Sequence, residues 1–405
     1  MALRLTLPPD PTSGNVVALH PRPPLAPARD RILLSPPELA GGEMAAVHQT
    51  LDSGWLAPAG PMPTRFEDAV AEACGIPHVV AVSSGTAALH LGYRLLGVGR
   101  GDAVWTTTFT FVATVAPAAQ MGAEITFLDV SPDTWTLDPD LLRDALARAA
   151  RAGKLPRAVV PADLYGGCSD LEAIVAACDR WGVPVLCDAA ESLGATARGR
   201  PAGAGAKLAA FSFNGNKIVT AAGGGALASD DAGLIARARH LAAQAKEAAP
   251  HYQHETTGYS YGLSSVLAAV GLAQVAALQV RVAARRTVFG RYVAGLADLP
   301  GVAFMPEPAW CRSTRWLSVA LFDPARGPDR EAVRRALAAA GIESRPVWKP
   351  LHLQPAFRDA AVIGGEVAAG LFERGLCLPS GALSGPEQGR VIEVIRSLWD
   401  RPAAA

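Results

Sequence analysis

Lysine is the scarcest charged residue in this chain. Among 405 residues there are five, Lys154, Lys207, Lys217, Lys246 and Lys349, against thirty-two arginines, so each lysine invites a specific question. Net charge is also missing. Lys+Arg and Asp+Glu each total 37, and the chain therefore lacks the long-range field with which a protein holds nucleic acid or an anionic membrane. Cysteines are few and single: Cys74, Cys168, Cys178, Cys187, Cys311 and Cys377 form no CxxC pair, and no histidine cluster has metal-ligand spacing. This excludes a disulfide framework and a structural metal, and it reads as a reduced, cytoplasmic chain. Long apolar runs are absent as well. The longest, LAAVGLAQVAALQV from Leu267, is shorter than a bilayer span and carries two glutamines. The N-terminus lacks an apolar core ahead of a cleavage motif, so no signal peptide is read.

What is present is apolar material for a core, at 50% of residues, in a chain too long for one small domain. Residues 1–30 carry PPDP and PRPPLAP without a sustained period and read as a flexible Pro-rich extension. From His78 the pattern alternates. HVVAVS, AVWTTT, EITFLDV, RAVVPADLYG and VPVLCDAAES read as strands, with helical segments TAALHLGYRLLG, FVATVAPAAQMG, 139–152 and 170–181 between them. Such βα repetition predicts an α/β fold around a mostly parallel sheet, whose ligands sit at the carboxyl ends of the strands. FSFNGNK and GALAS continue it, followed by helical patterns over 232–246 and 264–297. From about Pro300 the texture becomes that of a smaller α+β unit, which sets expected domains at 31–285 and 286–405.

Four features fall where such a sheet would gather them. SSGTAALHL, from Ser83, opens a helix after a strand, where small residues and free N–H groups suit a phosphate; an ordinary cap by Ser84 or Thr86 reads equally well. Asp188 ends the apolar run VPVLC and either faces a polar ligand, is paired, or caps the next helix. Lys217 sits among Phe211, Phe213, Ile218 and Val219, a setting that favours the free amine a Schiff base needs, although a loop lysine can also snorkel to water. Phe111 in TTTFTFVAT either stacks on a planar ring or joins the core. Together they supply the contacts that pyridoxal phosphate requires. The basic, aromatic-flanked WKPLHLQP points to Lys349 and His352 as contacts for an anionic substrate.

With these motifs the chain resembles the DegT/DnrJ/EryC1/StrS family of nucleotide-sugar aminotransferases, a branch of the fold-type I pyridoxal-phosphate enzymes. The likeness runs from Ile32 to Arg396 through GWLAPAGP, SSGTAALHL, TFTFVAT, CDAAESLGA, FSFNGNKIVT, RPVWKPLHLQP and GLCLPSG. FNGNK with WKPLHLQP is similar to the subgroup that aminates UDP-linked 4-keto-6-deoxy-N-acetylhexosamines. The resemblance implies that Lys217 carries the cofactor as a Schiff base and moves the proton, and that Asp188 keeps the pyridine nitrogen protonated. It implies that Phe111 stacks on the ring, and that Gly85, Thr86 and Ser212 hold the phosphate. Glu191 occupies a cofactor-side position that varies within the family. Glutamate is the implied amino donor, and a homodimer with active sites at the subunit interface the implied assembly. Where relatives read GYNYR, with an Asn that reaches the neighbouring subunit's phosphate, this chain has GYSYG, with Ser260 and Gly262. Dehydratases on the same scaffold have His in place of the Schiff-base lysine, so Lys217 argues against that reaction; an aminotransferase acting on a GDP- or dTDP-linked 4-keto or 3-keto sugar and a non-catalytic sugar-binding or regulatory relative are the remaining rivals.

Overall fold

The computed structural model describes residues 31–400, so the extension read at 1–30 lies outside the described residues. Among the described residues, eight strands line up in the order His78–Val82, Gly225–Ser229, Leu208–Ser212, Leu186–Asp188, Ala158–Val160, Ala103–Thr107, Glu124–Leu128 and Ala361–Ile363. Bridges from Val159 to Val185 and from Ala162 to Asp188 join the two four-stranded halves. Gly225–Ser229 runs antiparallel to both neighbours, and the rest are parallel, which gives the expected mostly parallel α/β sheet.

The strands read as continuous apolar runs because the sheet is covered on both faces. Successive side chains point to opposite sides. Val79 and Ala81 enter one core and Val80 and Val82 the other; Cys187, Ala209 and Phe211 join the first, and Leu186, Leu208 and Ala210 the second. Side-chain N-caps set where several helices begin: Ser84, Asp138, Asp170, Asp231, Ser264, Asp329 and Ser384 each accept a first-turn N–H.

Three segments depart from the sequence reading. FVATVAPAAQMG is one 3-10 turn, Val112–Thr114, followed by the short helix Ala116–Gln120, because Pro117 suits the start of a helix and interrupts a longer one. The pattern over 264–297 is two helices, Ser265–Ala276 and Leu278–Leu296, bent by 61° at Ala277. The helix read over 232–246 stops at Ala242, and Gln244 and Ala245 then take positive φ. Two helices not read from the pattern, Glu43–Asp52 and Pro61–Cys74, pack on Ser265–Ala276. Among the described residues no single helix is long and apolar enough to cross a membrane.

A second sheet, antiparallel, has the order Val302–Phe304, Ser318–Phe322, Gly375–Leu378 and Arg345–Pro346. Helix Leu278–Leu296 serves both layers. Leu278 and Val282 belong to the core of the large sheet, whereas Val288, Tyr292 and Leu296 belong to the core over the second. We propose on that ground that the boundary expected near residue 285 runs through this helix. The cut is not clean, since Ile32 packs in the second core and Ala361–Ile363 completes the edge of the first sheet.

Candidate active site

The carboxyl ends of the strands open into a cavity of about 380 Å³, lined by Gly85, Thr86, Phe111, Asp188, Glu191, Ser212 and Lys217. Seven of the residues singled out in the sequence therefore meet in one place. Ser84 caps helix Gly85–Leu95 by accepting the Ala87 N–H at 3.0 Å, leaving the Gly85 and Thr86 end turned toward the cavity. The approach is close: a Cβ on Gly85 would lie 3.0 Å from the Ser212 Cβ. Helix N–H groups and the Ser212 hydroxyl are thus pressed together in a cradle suited to a phosphate.

Asp188 is buried at the end of its strand, and the segment after it is a turn, so the helix-cap alternative falls. Its Oδ2 accepts from the Thr114 hydroxyl at 2.7 Å and its Oδ1 from the Ala190 N–H at 3.1 Å. Thr114 is itself fixed, with its hydroxyl 2.8 Å from that of Thr110 and its carbonyl accepting from Tyr93. Burial pushes the Asp188 carboxyl above its ordinary value, opposed by the Thr114 and Ala190 hydrogen bonds and the charge of Lys217. A buried carboxylate aimed into a cavity is the donor-set chemistry that suits a protonated ring nitrogen.

Lys217 is not a solvated loop lysine, because its side chain is only 14% exposed. Its Nζ lies 3.8 Å from Glu191 Oε1 and 4.3 Å from the centroid of the Trp316 ring. Glu191 is a hub: Oε2 accepts from the Tyr165 N–H at 2.8 Å and Oε1 from the Trp348 indole N–H at 3.2 Å. Burial pushes Glu191 up, and Lys217 opposes this. Tyr165 adopts φ 49°, an uncommon left-handed conformation for a bulky residue, and Glu191 holds its N–H in that position. Phe111 is 51% exposed, which removes the core alternative, and its ring centroid lies 5.2 Å from that of Trp348.

The remaining predicted residues lie elsewhere. His352 Nδ1 is 2.6 Å from the Thr108 hydroxyl, and burial lowers its proton affinity, so this ring pins the loop to the sheet. Lys349 is exposed and does not line the cavity; Trp348, one residue earlier, does. Alternation along an extended segment turns one side chain in and the next out. Ser260 is exposed and also outside the cavity, its backbone bridged to Ala243. The Gly262 departure has a steric cause: a Cβ there would lie 2.5 Å from the Pro58 Cβ, so the 56–59 loop occupies the room a larger residue would need.

Sequence reasoning missed Thr114, Trp316, Trp348 and Asp163. The last is buried at the cavity wall, accepts from the Ser169 N–H at 2.8 Å and the Ser192 hydroxyl at 2.6 Å, and is pushed up to about 6 by burial. Cradle, ring-facing aromatic, buried carboxylate and sequestered lysine together fit pyridoxal phosphate.

Comparison with known proteins bears on the same site. The sequence model of the DegT/DnrJ/EryC1/StrS aminotransferase family matches residues 37–396. EpsN of Bacillus subtilis (strain 168), which carries the name of a pyridoxal phosphate-dependent aminotransferase, is 48% identical over 374 residues, covering 91% of this chain and 96% of that protein. GDP-perosamine synthase of Caulobacter vibrioides is 33% identical, covering 90% and 97%. The crystal structure of the aminotransferase TlmJ from Streptoalloteichus hindustanus superposes with a TM-score of 0.82 at 32% identity, covering 91% and 99%.

Proposed function

Because this chain belongs to the DegT/DnrJ/EryC1/StrS aminotransferase family, we propose that it moves an amino group from glutamate to the C4 ketone of a nucleotide-linked 6-deoxy sugar. The protein is a pyridoxal-phosphate-dependent sugar aminotransferase. UDP-4-keto-6-deoxy-N-acetylhexosamine is the first candidate acceptor, on the FNGNK and WKPLHLQP motifs. A GDP-linked 4-keto sugar is the second, on the likeness to GDP-perosamine synthase.

The observation that carries the reading is the sequestered Lys217 Nζ between Glu191 and Trp316, in the same cavity as Asp188. Bound pyridoxal phosphate supplies an electron sink that lets an amine pass from donor carbon to acceptor carbon. Lys217 would hold the cofactor through its amine and would carry the proton at the reacting carbon. Asp188, oriented by Thr114, holds a proton on the ring nitrogen. Phe111 would cover one ring face, and Gly85, Thr86 and Ser212 would take the phosphate. Glu191 sets the position of the Lys217 amine and of the Trp348 wall. We assign Ser260 to the site of a second copy in a homodimer and Lys349 to the nucleotide outside the cavity, while His352 holds the Lys349 loop. The six reduced, buried cysteines support a cytoplasmic setting.

The test is direct. Purified protein loaded with cofactor is incubated with glutamate and UDP-, GDP- and dTDP-linked 4-keto-6-deoxy sugars, and products are identified by mass and NMR. A 4-amino sugar from the UDP substrate is expected; product from the GDP substrate alone transfers the assignment to that nucleotide, and no amino sugar from any of them overturns the acceptor class.

A further inference from the structure

The turn that carries Lys217 has little backbone support of its own. Among the described residues, the only backbone hydrogen bond within 214–219 runs from the Lys217 N–H to the Asn214 carbonyl at 3.0 Å. The segment is neither helix nor strand, so its shape has to come from side chains reaching in from elsewhere. Three do. The Asn216 carbonyl, one residue before the lysine, accepts from the Ser35 hydroxyl at 2.9 Å and from the Trp316 indole N–H at 2.8 Å. One residue after it, the Ile218 carbonyl accepts from Arg281 Nη1 at 3.4 Å. These donors come from the segment ahead of helix Glu43–Asp52, from the entry to strand Ser318–Phe322 and from helix Leu278–Leu296.

Both lone pairs of the Asn216 carbonyl are thus in use, and both donors are buried. Trp316 is itself wedged in place. Gly166, at φ 100°, lets the neighbouring loop press on its backbone, since a Cβ there would lie 2.6 Å from the Trp316 nitrogen. The same ring faces the amine, with Lys217 Nζ 4.3 Å from its centroid and 3.8 Å from Glu191 Oε1. Each time the amine takes up a proton it becomes a cation in a site that leaves it only 14% exposed. Glu191 already accepts from Tyr165 and Trp348 and shares its charge with them. The indole face, the strongest of the aromatic faces for a cation, supplies the second contact. That charge develops while the proton moves, so stabilising it raises the rate and leaves donor binding alone.

We propose that Trp316 is a positioning residue for Lys217: with Ser35 it fixes the backbone ahead of the lysine through the Asn216 carbonyl, and its ring face receives the protonated amine. This rests on the aminotransferase reading and adds how the lysine is held within it. The segment that carries Ser35 and the entry to the second sheet are then parts of the active site, although neither belongs to the large sheet.

Hydrogen exchange of the cofactor-free full chain, followed by mass spectrometry, tests the backbone part without any reaction. Ser35→Ala and Trp316→Phe should each speed exchange in peptides covering 214–219 about fivefold, while Ala103–Thr107 exchanges as in the wild type. Unchanged exchange at 214–219 in both variants overturns the clamp. Equal acceleration at both places does the same, because it marks general loosening. Stopped-flow absorbance on adding glutamate alone, with no acceptor sugar, tests the ring face in the cofactor-loaded chain. Trp316→Phe keeps a ring and loses the N–H, whereas Trp316→Leu loses both. The rate should fall about threefold in the first and about thirtyfold in the second, with half-saturation by glutamate unchanged. Equal rates in the two variants overturn the ring-face role; Trp316→Met replaces the leucine variant if that one does not fold. A wild type that shows no absorbance change with glutamate refutes the aminotransferase reading itself, and the exchange result is independent of it.

Discussion

Two buried polar clusters in this chain shift their carboxylates in opposite directions. Around Lys217, burial pushes Asp163, Asp188 and Glu191 upward, and the lysine and local hydrogen bonds only partly offset it. Beside the second sheet, burial also acts on Glu307, but hydrogen bonds from Arg286 and the charge of Arg315 outweigh it and hold that carboxyl down. Arg286 Nη1 lies 2.5 Å from Glu307 Oε1, and Arg315 Nη2 lies 3.2 Å from Oε2. The Glu307 cluster has two guanidinium groups for one carboxylate. The Lys217 cluster has three carboxylates for one amine. Buried carboxylates left in that excess mark a place where a ligand's protonated nitrogen belongs, whereas a carboxylate held down by guanidinium groups marks architecture.

The largest way to break the first cluster is Lys217→Ala. Amine transfer should fall by at least about a thousandfold, the scale expected for losing a nucleophile and proton carrier together. Borohydride reduction followed by mass spectrometry gives the matching signature: cofactor mass fixed on the Lys217 peptide of the wild type and none in the variant. Transfer that survived the substitution would sink the assignment.

In the paired cluster the effect belongs to stability. Glu307→Gln leaves Arg315 buried with a weaker partner and should cost about 2–3 kcal/mol, read from urea denaturation midpoints. A change under about half a kcal/mol would show that the pair is dispensable and the contrast misdrawn.

The smallest effect sharpens the comparison through pH. Asp163 has an ordinary value of 3.8 and rises to about 6 in the folded chain, so the folded state holds its proton more tightly than the unfolded one. That contribution to stability is full below pH 3.8 and is lost as pH rises through about 6. Asp163→Asn, which does not titrate, should remove this slope, so the stability difference between wild type and variant changes across that window and is flat above it. The charge of Asp188, on the neighbouring strand, contributes to that rise.

The same contrast explains what was legible in the sequence. Lys217 and Asp188 could be read because chemistry restricts the residue type and strand ends restrict the place. Thr114 and Trp348 could not, because their roles arise only from contacts 74 and 157 residues away, to Asp188 and Glu191. WKPLHLQP drew attention to the right loop but not to the side chain that lines the cavity, since charge was the visible signal and the inward residue is an aromatic. The strand Gly225–Ser229 was visible in composition while its reversed direction was not, because pairing direction leaves no mark in a short apolar run. The edge strand Ala361–Ile363 left no signal at all: its three residues are short and largely exposed.

That edge strand matters most while the chain is being made. Ile363 pairs with Leu128 and Ala361 with Thr126, so the border of the large sheet is sewn shut by residues translated long after it. At ordinary elongation rates the delay is roughly ten to fifty seconds, during which Glu124–Leu128 presents an unguarded row of hydrogen-bonding groups to any neighbouring nascent chain. The last stretch of this protein thus acts as a closing seam, and a ribosome that stalls before reaching it releases a sheet with an open, adhesive margin.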